Sequence, residues 1–482
     1  MAKSTKWINV LLVIMGTLMM FSTPSDPDFG WHYKYGEHFF STGQLLKENI
    51  FSYTYTDYMW VNSYWLFELI LFFTHSYFGH IVPTLILGFA ASVFCLAIIR
   101  KLAKNEIAVY LSFVLLAGIL SSYNITVRPH YYSSLFMLFL LYSLIFVPKL
   151  KMYLPLIFLF WVNLHAEFVI GLFVLGTYTF FEAIRMYRQK SPVKDLASLF
   201  GIPALCVAVT LINPNGINLH ITLFKELTLP VKSYVQEWSH YDIEKFERYI
   251  TYIFILTVAL VGGFYMRKKA GLWYFLLAIF FALFSIKAVY MIRVMFVVTF
   301  YGFLLGTDKF FTDLMNFLND TNKAIIRRFI TYTYYGAFLV VLVNSLWKIM
   351  LATDTRYWSI NHKYPYDAIS FVKQNPIKGR MLNAYNWGGY LIWQLPEYQT
   401  FIDGRMTSWR ETDNYFMSDY YRIHEPKILN KYVTQYGITW VIDYPTSKLA
   451  KYLKQQPGEW EEYYKDENSV IYVKKDSNSE TI

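Results

Sequence analysis

Trp65-Leu66-Phe67-Glu68-Leu69-Ile70-Leu71-Phe72-Phe73 is apolar enough for a membrane span, yet Glu68 interrupts it and His75 closes it. How this stretch is read sets the topology of everything after it. If 63–79 crosses the bilayer, Arg100, Lys101 and Lys104 lie outside. If it lies along the outer interface, the next span is roughly 82–99 and that cluster lies inside, where basic loop residues concentrate. The second register also puts inside Lys149 and Lys151, then Arg185, Arg188, Lys190 and Lys194, then Arg267-Lys268-Lys269, and finally Lys323, Arg327 and Arg328. One register satisfies every cluster, so 63–79 is read as an interfacial helix.

Composition supports a membrane protein. Of 482 residues 55% are hydrophobic and 20% aromatic, and the charged share of 16% is well below the roughly 25% usual in soluble domains. The predicted spans are roughly 6–22, 82–99, 106–124, 131–148, 152–165, 168–187, 195–213, 249–266, 271–287, 289–306 and 329–351, about eleven helices. The first apolar run, preceded by Lys3 and Lys6, has the look of a secretory signal, but no small-residue cleavage site follows it, so it is read as a retained span. The expectation is a multi-pass protein of the cytoplasmic membrane, N-terminus inside and C-terminal domain outside. The net charge of +10 sits in short clusters between apolar spans, a pattern that orients a membrane protein rather than one that binds nucleic acid. Cys95 and Cys206 lie in apolar runs and are expected as buried thiols, neither a disulfide nor metal ligands.

After about Thr353 the apolar runs shorten and turn residues increase. Helices are expected over Tyr366–Lys373, Ile428–Gln435 and Lys448–Gln455, and strands at Gly379–Asn383, Gln399–Ile402, Thr439–Asp443 and Val470–Lys474. The expected fold class is therefore mainly α. A polytopic membrane domain covers 1–353, with its first outer loop at 22–81, and a small extracytoplasmic α/β domain covers 354–482.

This topology sorts polar residues by face. Asp26, Asp28, His32 and Glu37 fall in the first outer loop. Arg128 and His130 sit at the outer end of the third span, and His165 and Glu167 in the turn between the fifth and sixth. Lys287 and Arg293 flank the turn between the ninth and tenth. Ionisable groups at a membrane boundary need a partner or a cavity, so their collection on one face marks a site. Each has a structural alternative: Asp28 can cap the helix that follows, Arg128 can snorkel, and His165 with Glu167 can be a satisfied turn pair. The chemistry these residues suit is transfer from a phosphate-activated lipid. A carboxylate, Asp26 first and Asp28 second, would take the proton of an acceptor hydroxyl. Arg128, Lys287 and Arg293 would bind the phosphate. Asp26 and Asp28 would alternatively hold a divalent cation, Mg2+ or Mn2+.

Asp26-Pro27-Asp28-Phe29-Gly30-Trp31-His32-Tyr33, between a short first span and an interfacial helix, resembles the first outer loop of integral-membrane glycosyltransferases of the GT-C superfamily. That superfamily includes protein O-mannosyltransferases and oligosaccharyltransferases. Trp60-Val61-Asn62-Ser63-Tyr64-Trp65-Leu66-Phe67-Glu68, Arg128-Pro129-His130 and Trp161-Val162-Asn163-Leu164-His165 are similar to a group of bacterial membrane proteins placed in the same superfamily. So are Asn386-Trp387-Gly388-Gly389-Tyr390-Leu391-Ile392-Trp393 and Phe401-Ile402-Asp403-Gly404-Arg405 in the tail. The resemblance implies a polyprenyl-phosphate sugar donor, an essential carboxylate in the first outer loop, and a saccharide, lipid or protein acceptor. Trp387, Asp403 and Arg405 would then join His32, Glu37, His130, His165 and Glu167 around the substrate cavity, though Asp403 and Arg405 can equally be an ion pair holding a turn. Oligosaccharyltransferases carry Trp-Trp-Asp-Tyr-Gly at the head of the soluble domain, where this chain has Tyr385-Asn386-Trp387-Gly388-Gly389-Tyr390, so sequon recognition is not carried over. A transporter or flippase of a lipid-linked saccharide would call for polar groups at the bilayer midplane and repeat symmetry. A non-catalytic scaffold would tolerate loss of Asp26 and Asp28.

Overall fold

The computed structural model describes residues 2–23, 26–121, 128–226, 246–288, 290–353, 364–411 and 414–475. The first helices are α1 (Ala2–Met19), α2 (Phe29–Thr42), α3 (Trp65–Phe78), α4 (Ile81–Leu102), α5 (Glu106–Ser121), α6 (His130–Ile145), α7 (Leu154–Leu164) and α8 (Phe168–Arg188). Next come α9 (Val193–Leu199), α10 (Gly201–Val209), α11 (Ile217–Glu226), α12 (Phe246–Ala270), α13 (Leu272–Lys287), α14 (Met291–Phe317) and α15 (Asp320–Ala352). The chain forms two compact units from interleaved stretches. One takes Met1–Ser22, Phe78–His220 and Gln236–Met350, and the other Thr23–Tyr77, Ile221–Val235 and Leu351–Ile482. The junction expected at 353–354 borders 354–363, which lie outside the described residues, as do the last residues of the span expected at 106–124.

The first unit is held by close helix approach and buried polar anchors. α12 meets α14 through Gly262 and Gly302, where a Cβ on Gly302 would stand 2.3 Å from Gly262 O. Small residues allow such approach where helices pack by dispersion rather than by expelling water. Buried tyrosines tie helices to one another's main chain: Tyr274 donates to Val298 O at 2.6 Å and Tyr301 to Leu138 O at 2.8 Å. Arg100 donates to Asn9 Oδ1 at 2.6 Å and to Glu106 Oε1 at 2.8 Å. Among the described residues, α4, α8, α14 and α15 are long and apolar enough to cross a membrane, and α5, α6, α13 and Lys6–Met19 of α1 are shorter apolar helices. The span expected at 195–213 is two helices, α9 and α10, parted at Phe200. Pro203 has no N–H to offer Leu199 O, so one continuous ladder cannot pass that point. The short span expected at 152–165 is α7, 11 residues long and entered through the 3-10 turn Pro148–Tyr153.

The second unit contains α2, α3 and the tail. The tail adds α16 (Tyr366–Gln374), α17 (Gly388–Gln394), α18 (Phe416–Tyr421), α19 (Pro426–Tyr436) and α20 (Lys448–Lys454). Its strands are β1 (Arg380–Asn383), the short ribbon β2 (Arg410–Glu411) and β3 (Asn414–Tyr415), then β4 (Ile438–Asp443), β5 (Trp460–Lys465) and β6 (Val470–Lys474). The main sheet has the order β1-β4-β6-β5, with β1 parallel to β4 and the other pairs antiparallel. Successive β4 residues feed opposite cores: Trp440 and Ile442 pack with Ile369, Val372 and Leu391, while Val441 packs with Phe401, Leu429 and Leu453.

The first loop is built into this tail. Ser52 bridges Thr400, Thr400 N donates to Phe51 O at 3.0 Å, and Thr54 Oγ1 donates to Phe401 O at 2.7 Å. The strand expected over Gln399–Ile402 is limited to that bridge. The Asn383 side chain takes the place of a neighbouring strand, accepting from Phe401 N at 2.8 Å and donating to Ile402 O at 2.8 Å.

Candidate functional site

In the second unit, Asp26, Pro27 and Asp28 make a tight turn at the start of α2. Asp28 N donates to Asp26 Oδ1 at 2.9 Å and Phe29 N to Asp26 O at 3.1 Å. Asp28 occupies the N-cap position, yet its side chain makes no cap bond. Its Oδ1 instead accepts from Trp31 Nε1 at 2.9 Å, one helical turn on, where an i,i+3 neighbour must lie. Both carboxylates are half-buried. The capping alternative for Asp28 is therefore not the one the structure adopts.

Beneath the turn, His32 Nδ1 pairs with Glu68 Oε1 at 2.9 Å, and Asn62 Nδ2 donates to Glu68 Oε2. Glu68 is fully buried on α3. Burial pushes its carboxyl well above the ordinary range, against the lowering influence of the Asn62 amide and the Arg405 charge. α3 comes this close because α2 offers Gly36, where a Cβ would stand 2.5 Å from Glu68 O. His75, further along α3, is lowered to about 4 by burial and lies against Phe29 at 4.9 Å between ring centroids.

Asp403 and Arg405 form a buried two-pronged pair, Nη2 to Oδ2 at 2.7 Å and Nε to Oδ1 at 2.8 Å. Arg405 Nη2 also donates to Asn49 Oδ1 at 3.0 Å, and the guanidinium lies over Phe51, Trp60 and Trp409. This is the internal ion pair weighed from sequence, reinforced by the first loop. Trp387 is fully buried in the tail and packs on Tyr444 at 4.2 Å. Glu37 pairs with Lys34 at 2.6 Å on the outer side of α2.

In the first unit, four loop ends converge. His130 opens α6, His165 follows α7, Glu167 precedes α8 and Arg293 lies in the first turn of α14. Arg293 Nη2 pairs with Glu167 Oε1 while both are buried, and the guanidinium lies over the Tyr290 ring. His165 Nδ1 is 2.7 Å from Ser133 Oγ, which accepts from Trp161 Nε1 at 2.8 Å. The His130 and His165 rings are 4.3 Å apart, and Arg128 is within electrostatic reach of His165. Lys287 ends α13 with an exposed side chain.

His130, His165 and Glu167 each offer one ligand atom, all within 4.8 Å of one another. Two imidazoles and a carboxylate suit a transition-metal ion such as Mn2+ better than Mg2+, which prefers oxygen. A cation there would share Glu167 with Arg293. Asp26 and Asp28 bring only carboxylate oxygens, and each already accepts an N–H.

Trp31, Asn49, Asn62, Glu68 and Gly404 lie outside the set of polar residues that the topology collects on one face. Glu68 had a signal, a carboxylate inside an apolar run. Trp31 had one too, at i+3 from an acid.

No family model matches the sequence, and no curated protein sequence matches it. Solved structures do. The oligosaccharyltransferase of Archaeoglobus fulgidus, tethered with an acceptor peptide containing the NVT sequon, matches with a TM-score of 0.58 at 11% identity, over 98% of this chain and 75% of that one. The archaeal oligosaccharyltransferase AglB of the same organism, in complex with an inhibitory peptide and a dolichol-phosphate, gives 0.57 at 10% identity, over 99% and 75%. ArnT from Cupriavidus metallidurans bound to undecaprenyl phosphate gives 0.51 at 11% identity, over 97% and 98%. At such identities the likeness is one of fold alone.

Proposed function

We propose that this chain is a membrane glycosyltransferase that moves a sugar from a polyprenyl-phosphate-linked donor to an acceptor outside the cytoplasmic membrane. In this reading 1–353 is the membrane part and 354–482 the extracytoplasmic domain. The observation that carries it is the pair of carboxylates in the Asp26–Asp28 turn, within a fold whose solved relatives hold dolichol-phosphate and undecaprenyl phosphate. Asp26 has the turn to hold, through the Asp28 amide. Asp28, off cap duty and steadied by the Trp31 indole, is the better general base for the acceptor hydroxyl. Arg293 and Arg128 would meet the donor phosphate, with planar guanidinium groups suited to two-pronged contact; Lys287 would serve it as a mobile charge. A divalent cation, when bound, would be held by His130, His165 and Glu167, or by Asp26 and Asp28, and would supply positive charge toward a phosphate.

The test uses the full chain in lipid nanodiscs with an undecaprenyl-phosphate-linked radiolabelled hexose, following release of undecaprenyl phosphate. Asp28→Asn is expected to lower turnover by at least about a hundredfold, the scale of a lost general base. Unchanged turnover in both Asp28→Asn and Asp26→Asn would refute the reading. Single cysteines at Gly458 and Lys101 should label from opposite sides of the membrane.

A further inference from the structure

The Asp26-Pro27-Asp28 turn is gripped by tail glycines of the same unit. A Cβ on Gly389 would stand 2.1 Å from Pro27 O, and one on Gly30 would stand 1.8 Å from Gly389 O. Gly388 is pressed just as hard against Ile402 O and Asp403 Cα, at 2.4 and 2.5 Å for an added Cβ. These contacts are main chain against main chain, and they fix where the turn sits on the tail.

Gly404 differs in kind. A Cβ there would stand 2.0 Å from Asp28 Oδ1 and 3.2 Å from Trp31 Nε1, the two atoms joined by the 2.9 Å hydrogen bond. Gly404 thus seats against the carboxylate itself. Its own place is set from both sides: Asp403 Oδ1 accepts from Arg405 N at 3.0 Å, and the Arg405 guanidinium closes on Asp403 and Asn49.

We propose that Gly404, clamped by the Asp403–Arg405 pair, is the positioning residue that holds the Asp28 carboxylate on the Trp31 indole. This rests on the reading of Asp28 as the reacting carboxylate. A side chain at 404 must displace the atom that can move, which is Oδ1, while the main-chain contacts of Gly30, Gly388 and Gly389 keep the turn in place. The carboxylate would then lose the indole N–H that steadies it.

The test places 5-fluorotryptophan site-specifically at position 31 of the full chain in nanodiscs and reads its 19F resonance at one fixed pH. Asp28→Ala, which removes the acceptor of the indole N–H, should move the resonance. Gly404→Ala should move it in the same direction, and Gly458→Ala, where the added Cβ meets open space, should leave it in place. A Gly404→Ala resonance equal to that of the parent overturns the proposal. If Gly404→Ala does not fold, Gly404→Ala with Asp28→Ala decides: removing the obstructing oxygen should restore a monodisperse protein, and an equally defective double variant overturns the proposal. In the transfer assay Gly404→Ala should lower kcat about tenfold with KM for the donor within about twofold. The 19F resonance needs no turnover, so a chain that shows the shift but transfers no sugar would refute the activity and leave the positioning. A chain that transfers sugar without the shift would do the reverse.

Discussion

Asp28 and Glu167 occupy the same place in their helices, and they are held by opposite means. Each is the residue just before a helix, each has right-handed helical φ and ψ, and neither caps the helix with its side chain. Asp28 is steadied by its i+3 indole and by close main-chain packing, in which glycines let the tail reach the turn. Glu167 is met instead by a full positive charge, Arg293 from a helix far away in sequence. The difference is one of electrostatics. A half-buried carboxylate can be placed by shape because water still helps to solvate it, whereas a buried one needs a counter-charge to be ionised at all. Shape leaves a carboxylate poised for proton chemistry, and a counter-charge makes it a structural or ligand-binding element.

The contrast is most easily broken at Glu167. Arg293→Met keeps length and removes charge, leaving a buried carboxylate without its guanidinium. Stability should fall by about 3–5 kcal/mol, and Arg293→Met with Glu167→Gln should recover most of it. Denaturant unfolding in detergent reads both; a loss under about 0.5 kcal/mol for the single variant would mean that Glu167 does not depend on Arg293.

A third carboxylate sharpens the rule. Asp443, buried at the end of β4, is held by hydrogen bonds, accepting from Ser447 Oγ at 2.7 Å and Tyr444 N at 2.7 Å. Burial pushes its carboxyl up from 3.8 to about 6, more than these donors pull it down. Because the folded value is raised, the unfolded chain releases this proton first. The stability it carries is fully present below pH 3.8 and is lost as pH rises toward 6. The loss should approach about 3 kcal/mol. Asp443→Asn should flatten that part of the profile, seen as a pH-independent midpoint for tail unfolding. A profile unchanged by the substitution would show that hydrogen bonds alone keep this buried carboxylate charged.

Shape can be tested directly at Gly389. An added methyl would meet Pro27 O, a main-chain atom that cannot swing aside, so Gly389→Ala should cost about 1–3 kcal/mol. The same change at Gly458 should cost little, and equal effects at the two positions would remove the packing argument.

The chain makes some of this readable and hides the rest for physical reasons. Periodicity and basic clusters are local signals, so α4, α6, α8 and β6 lie close to their expected ranges. β5 escaped notice because Trp460-Glu461-Glu462-Tyr463-Tyr464-Lys465 is an edge strand, largely exposed after its first residue. The strand expected at Gln399–Ile402 failed because a side chain, Asn383, does the hydrogen bonding that a neighbouring strand would do. The grouping of His130, His165, Glu167 and Arg293 followed from counting spans. The contact of Gly404 with Asp28 could not be counted or read from a period, because the two meet only through the packing of the first loop on the tail.

Glu37 gives the smallest expected effect and the sharpest check on which acids belong to the chemistry. Loop position places it with Asp26 and Asp28, and all three lie in the same stretch of chain. In the structure it pairs with Lys34 at i,i+3, with its side chain 42% exposed. Such a pair contributes roughly 0.2–0.5 kcal/mol, because water screens it and two flexible side chains must be ordered to make it. Glu37→Gln should therefore shift stability by no more than that and leave donor turnover within about twofold, far from the loss expected at Asp28. Adding salt should weaken the parent's small advantage further. A turnover loss of about tenfold or more at Glu37, with stability unchanged, would place a solvated acid in the reaction. Shape and burial would then no longer separate working carboxylates from surface ones in this loop.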